Sequence, residues 1–193
     1  MIKIKNCAIY GGTFDPIHNG HLHLIDAILS NSEFERLIVV PAGNPWQKKS
    51  FATAEERLKM LKLALAERDA VISDCEIRRS GPSYAIDTLT EIESDYPADK
   101  YTWILGSDAI AKIQSWHQFE ELKSKLDFLV IKRPGTSISD IPTGVSYSEL
   151  DIKAPDISAT AIRARIASGQ SIAGLVPESV ASFIEKNGIY GAA

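Results

Sequence analysis

Residues 11–21 read GGTFDPIHNGH and follow directly on a strand-like run. From Ile4 to Tyr10 the apolar members Ile4, Cys7, Ala8 and Ile9 describe a strand. Beyond Asn19, the residues His21, Leu22, Ile25, Ile28 and Leu29 recur with a period near 3.6 and predict a helix. A strand that ends in two glycines and gives way to a helix within a few residues leaves few folds open. Gly11 and Gly12 let the chain turn sharply beside a ligand, and the helix start adds unpaired N–H groups and the positive end of its dipole. His18 and His21 fall on adjacent sides of the first turn, with Gly20 leaving room for close approach. An anion is the natural occupant of such a junction.

The strand-then-helix pattern repeats. Strand-like runs recur at Leu37 to Val40, Ala70 to Ile77, Tyr101 to Leu105, Phe128 to Ile131 and, more weakly, Val145 to Leu150. Thr53 with Glu56 three residues on is a capping-box signature, and Leu58, Met60, Leu61, Leu63, Ala64 and Leu65 continue a largely apolar helix. Ile86, Leu89 and Ile92 mark the inner face of another helix, from about Tyr84 to Ser94, which Pro97 stops. This alternation predicts an α/β fold, a Rossmann-like doubly wound parallel sheet with helices on both faces. Ligands of such sheets bind beyond the carboxyl ends of the strands, where GGTFDP falls. Ser158 to Ser168 and Pro177 to Lys186 read as two further helices ending at Gly169 and Gly188. They form a small helical C-terminal extension, about 155–193, of one domain spanning 1–193. Pro134 to Gly144 reads as a loop.

Composition narrows the function. At 193 residues and 45% hydrophobic, the chain suffices for one α/β domain and is too short for two ordinary ones. A net charge of −4 and no long basic block argue against a nucleic-acid partner. No apolar run approaches a membrane span, so no membrane partner and a cytoplasmic location are expected. Cys7 and Cys75, both expected in buried strands, read as small core residues in a reducing compartment rather than metal ligands.

A second anion signal lies near the C-terminus, in PDISATAIR at 155–163. Ser158 is an N-cap residue, Thr160 lies in the first turn and Arg163 follows one turn later, so hydroxyls, amides and a guanidinium converge. Alone, the stretch would read as an ordinary capped helix. His23 has no comparable context and reads as a surface or partly packed position.

GGTFDPIHNGH resembles the signature of the HxGH nucleotidyltransferase superfamily, whose members join a nucleotidyl group from ATP or CTP to a phosphate-bearing acceptor. PDISATAIR resembles the ISxxxIR phosphate-binding motif of the same enzymes. VPAGNPWQK at 40–48, RRSGPSYAIDTL at 78–89, ILGSDAI at 104–110, SWHQFEEL at 115–122 and KRPG at 132–135 are similar to blocks of the bacterial nicotinate-mononucleotide adenylyltransferases. The likeness is thus spread over nearly the whole chain. Two positions depart from the family pattern: Gln47 stands where a histidine often precedes the lysine, and Ala159 where serine is common.

The resemblance implies transfer of AMP from ATP to nicotinate mononucleotide, giving nicotinate adenine dinucleotide and pyrophosphate in NAD biosynthesis. His18, His21, Lys48 and Arg163 would act as donors to phosphate oxygens. The ATP side would be lined by the loop Gly11, Gly12, Thr13 and Phe14, by Ser158 and Thr160, and by Arg133 near the adenine. Gly106 would let bare backbone approach the sugar, with Asp108 accepting from ribose hydroxyls or capping the next helix. The acceptor would rest against Trp116 and Lys48, its carboxylate held by backbone N–H groups around Ser83, Tyr84 and Ala85. His117 and Trp103 read as packing residues. The resemblance further implies Mg²⁺ bound mainly through the ATP phosphates, with no protein metal ligand, and it leaves a homo-oligomer open. Alternatives are nicotinamide mononucleotide or phosphopantetheine as acceptor, or a nucleotide-sensing module without turnover.

Overall fold

All six apolar runs contribute a strand to one parallel sheet in the computed structural model, which describes residues 4–45, 49–132, 141–152 and 155–192. Gln47, Lys48, Arg133 and most of the 134–144 loop lie outside the described residues. The strands are β1 (Ile4–Gly12), β2 (Arg36–Pro41), β3 (Val71–Ile72), β4 (Ala98–Gly106), β5 (Asp127–Lys132) and β6 (Tyr147–Asp151), ordered β3-β2-β1-β4-β5-β6. β1 pairs with β2 on one side, through Tyr10 opposite Val39, and with β4 on the other, through Tyr10 opposite Ile104. Chain connections diverge between β1 and β4. That switch point leaves a crevice beyond their carboxyl ends.

Both faces of the sheet are covered, which is why its central strands are continuously apolar rather than alternating. On one face Ala8, Leu37, Val39, Ile104 and Leu129 meet α1 (Asn19–Leu29), α2 (Ala54–Ala64), α7 (Ala159–Ala167) and α8 (Glu178–Lys186). On the other, Cys7, Ile9, Ile38, Val40, Trp103 and Phe128 meet α4 (Ala85–Asp95) and α6 (Phe119–Lys125). Ile162, Ile166, Val180 and Ile184 of the two C-terminal helices share the first core. Thr53 caps α2 as its sequence signature requires, accepting from the Glu56 amide at 3.2 Å while Glu56 Oε2 accepts from the Thr53 amide at 2.8 Å.

Two local readings, of the run Ala70–Ile77 and of the cap of the short helix after β4, are corrected. The run Ala70–Ile77 yields only the two-residue β3, and Cys75 belongs to the short helix α3 (Cys75–Arg78) instead of a strand. β3 is an edge strand of two half-buried residues, and the chain coils after Ile72 before turning into the next helix. The buried stripe of α2 is Arg57, Met60, Leu61 and Ala64, whereas Leu58 and Leu63 are only half-buried. Gly106, not Asp108, caps the short α5 (Ser107–Ile110), because β4 runs directly into it.

Candidate active site

At the crevice the junction between β1 and α1 is held by its two histidines. His18 is the N-cap of α1 and His21 its third residue, and each caps the other's backbone. The His21 amide donates to His18 Nδ1 at 3.4 Å and the His18 amide to His21 Nδ1 at 3.3 Å, with the rings stacked 3.6 Å apart. An Nδ1 that accepts is unprotonated, so this reciprocal cap selects the tautomer with hydrogen on Nε2 in both rings. Two N–H donors are thereby set side by side at a helix N-terminus. Packing of His21 against Phe14 (5.2 Å) and Tyr10 (6.4 Å) fixes the ring from behind.

The glycines act differently from their expected turning role. Gly11 and Gly12 remain strand residues, and the turn is made at Phe14, whose φ is +50°. A Cβ on Gly12 would sit 2.8 Å from the Phe14 ring, and one on Gly11 would sit 3.0 Å from Trp103. The bare backbone is needed for side-chain approach. Gly20 serves the same end, since a Cβ there would stand 3.1 Å from the His18 ring and 3.5 Å from the Pro155 carbonyl oxygen.

Beside this junction opens a cleft of about 200 Å³, lined by Gly11, Gly12, Thr13, Ala42, Pro45, Glu76, Ser83, Tyr84, Ala85, Trp103, Trp116 and His117. Its aromatic walls are ordered: Trp116 meets Trp103 edge-on at 5.9 Å, and His117 stacks on Tyr84 at 4.3 Å. Tyr84 is the N-cap of α4, so the start of that helix, with its amides that have no intrahelical partner, borders the cleft at Tyr84 and Ala85. Behind it lies a buried polar network. Thr88 Oγ1 donates to Glu76 Oε1 at 2.6 Å, Arg79 Nη2 donates to Thr88 Oγ1 at 3.2 Å, and Arg79 pairs with Glu91. The Ser83 hydroxyl and the Gly43 amide also donate to the Glu76 carboxylate, yet burial outweighs these bonds and pushes its pKa above the usual range.

A second hub lies under the histidine loop. Asp15 is 4% exposed, and its carboxylate accepts from the amides of Phe51 (2.7 Å) and Ala52 (3.1 Å) and from the Tyr190 hydroxyl (2.6 Å). Its backbone oxygen accepts from Arg163 Nη1 at 2.6 Å, and Arg163 Nη2 donates to Thr160 Oγ1 at 3.1 Å. Arg57, 1% exposed, donates to the carbonyls of Thr13 (2.8 Å) and Gly43 (3.1 Å), joining the loops after β1 and β2. Burial lowers its pKa, while the Asp15 charge opposes that shift.

The expected site residues therefore divide. Thr13, Ser83, Tyr84, Ala85 and Trp116 line the cleft with Gly11 and Gly12, and His18 and His21 stand at the start of α1. Gly106 and Asp108 lie at the end of β4 and the start of α5, with open space where a Gly106 Cβ would stand. Ser158 caps α7 through the Ala161 amide at 3.2 Å, and Thr160 and Arg163 reach the histidine loop through Asp15. Phe14 is 2% exposed, so its ring is core and only its backbone can meet a ligand. His117, expected as packing, is exposed and faces the cleft, whereas Trp103 is buried as expected and also edges the cleft. Sequence reasoning missed Asp15, Arg57, Glu76 and Tyr190. Arg57 had a signal: it sits on the buried stripe of α2, where a cation must find acceptors.

Comparison with known proteins gives the family. Residues 9–165 match the family model described as cytidylyltransferase-like. The chain is 36% identical to a probable nicotinate-nucleotide adenylyltransferase of Bordetella avium, covering 97% of this chain and 98% of the relative. It is 40% identical to one of Acidothermus cellulolyticus, covering 94% and 92%. In fold it resembles a Plasmodium falciparum nicotinic acid mononucleotide adenylyltransferase complexed with NaAD, with a TM-score of 0.85, 24% identity and 98% of both chains covered. With a family model over residues 9–165 and relatives 36% and 40% identical over more than nine-tenths of both chains, the chain belongs to the nicotinate-nucleotide adenylyltransferase family.

Proposed function

We propose that the protein carries out the adenylyl transfer of its family, from ATP to nicotinate mononucleotide, yielding nicotinate adenine dinucleotide and pyrophosphate in NAD biosynthesis. The observation that carries this reading is the reciprocal cap of His18 and His21 at the start of α1, on the loop that follows Gly11, Gly12 and Thr13 of the cleft wall. ATP enters as its Mg²⁺ complex, the ion held on phosphate oxygens. Among the described residues no three His, Cys, Asp or Glu side chains gather as a cation site. The acceptor's 5′-phosphate oxygen forms a bond to the α-phosphorus while the bond to the α,β-bridging oxygen breaks, and the electron pair leaves with pyrophosphate. An acceptor phosphate already ionised at neutral pH requires no general base. Positioning and stabilisation of charge on the equatorial and leaving oxygens do the work. His18 and His21 donate to those oxygens, with Arg163 and Lys48 as fixed cations.

Trp116 supports the pyridine ring of the acceptor, and the amides at the start of α4 receive its carboxylate. With alanine at position 85, that recognition rests on backbone N–H groups there. The reading places the enzyme in the cytoplasm; no helix among the described residues is long and apolar enough to cross a membrane. The test is pyrophosphate release from Mg²⁺–ATP with nicotinate mononucleotide, nicotinamide mononucleotide or phosphopantetheine supplied in turn. Release with the nicotinate compound far above the others is expected. Binding of ATP without release from any acceptor would reject the reading.

A further inference from the structure

Asp15 stands three residues before His18, yet most of what holds it comes from distant parts of the chain. The amides of Phe51 and Ala52 precede α2, Arg163 lies on α7, and Tyr190 belongs to the short turn 189–191 after α8. Tyr190 is the unusual partner. Its backbone takes φ +62° and ψ +18°, left-handed values few non-glycine residues adopt, in a turn with Gly188 at φ +62° and Gly191 at φ +80°. That conformation brings the hydroxyl to Asp15 Oδ1 at 2.6 Å, and observed strain of this kind points to a role. Phe51 links the same cluster outward. Its ring lies 4.3 Å under the Arg163 guanidinium, and Phe51, Thr160, Arg163 and Tyr190 line one cavity of about 420 Å³.

We propose that Tyr190 is a positioning residue for the ATP phosphates, acting through the Asp15 carboxylate. By donating to Oδ1 it holds Asp15 where the carboxylate keeps the 51–52 backbone in place and the carbonyl receives Arg163. The histidine loop and the arginine of α7 are thereby set relative to one another by a residue of the C-terminal turn. The acceptor cleft, walled by Tyr84 and Trp116, receives no residue of this cluster. The kinetic consequence rests on the adenylyl-transfer reading; the structural one does not.

Tyr190→Phe removes the hydroxyl and keeps the ring. The expected result is a fall in kcat/KM for ATP on the order of 10-fold, with the KM for nicotinate mononucleotide within about 2-fold of the parent. Hydrogen exchange at the Phe51 and Ala52 amides should quicken by about 10-fold while exchange within α4 is unchanged. In an Asp15→Asn background the same change should alter kcat/KM for ATP by less than about 2-fold. Unaltered kinetics in the folded variant, a loss shared equally by the acceptor, or an undiminished effect in the Asp15→Asn background would overturn the proposal. So would unchanged exchange at residues 51 and 52, a result that stands even if the parent protein proves to have no adenylyl-transfer activity.

Discussion

Gly43→Ala tests whether the two walls of the crevice are held at a set spacing. A Cβ at this position would overlap the carbonyl oxygen of Glu76 and lie 2.6 Å from its carbonyl carbon and 3.1 Å from the Ile77 Cα. All three are backbone atoms, so no rotamer change relieves the contact. Restoring an ordinary separation requires the loop after β2 and the start of α3 to part by about 1 Å, a misplacement that can cost on the order of 10²-fold in rate. The same displacement pulls on two hydrogen bonds, from the Gly43 amide to the Glu76 carboxylate and from Arg57 Nη2 to the Gly43 carbonyl, the latter 3.1 Å long. Overpacking of this kind destabilises by about 1–3 kcal/mol. The variant should therefore stay folded, melt a few degrees lower, and lose kcat/KM for both ATP and nicotinate mononucleotide in a pyrophosphate-release assay. Parent-like kinetics and melting in Gly43→Ala would refute the claim that this approach sets the crevice.

His21→Ala should cost about 1 kcal/mol of stability through the lost cap and lower kcat by on the order of 100-fold or more, measured as pyrophosphate release; near-normal turnover would remove His21 from the phosphate site. Glu76 has a raised pKa in the folded protein, so its contribution is fully present below the unfolded carboxyl value of 4.5 and is lost as pH rises through the native value. Urea unfolding from pH 4 to 8 should accordingly show the parent losing stability relative to Glu76→Gln as pH increases, and a difference growing in the other direction would contradict the assignment. Cys7 is fully buried, with its thiol pushed up to about 12, and Cys75 is buried and also raised. Mass spectrometry should find neither alkylated by iodoacetamide at pH 8 in the native protein and both alkylated after denaturation.

Much of the scaffold was legible in the chain because it depends on local periodicity. The apolar run before GGTFDP, the Thr53–Glu56 box and the Ile86, Leu89, Ile92 face each specify an element from contacts within a few residues. Alternation of such elements leaves little choice but a parallel sheet with helices on both faces. The short β3 was misread where Cys75, Glu76 and Ile77 continue the run, because the donors that Glu76 meets in the fold, the Gly43 amide and the Thr88 hydroxyl, come from other segments. Those donors are 33 and 12 positions away.

The histidine pair, the capped start of α7 and the aromatic residue before His117 could be named from residue types and spacing alone. Their working geometry could not. The tautomer of His18 and His21 follows from a reciprocal cap that exists only once α1 has formed, and the role of Gly12 from a Phe14 ring folded back over it. Asp15, Arg57 and Tyr190 take their meaning from partners 175, 44 and 37 positions away in the chain, in the pairs Asp15–Tyr190, Arg57–Thr13 and Asp15–Ala52. Sequence determined which groups could meet an anion, because local periodicity and helix ends are properties of short segments. Tertiary structure decided which of them are held together, because burying a carboxylate and a guanidinium demands partners that only distant segments supply.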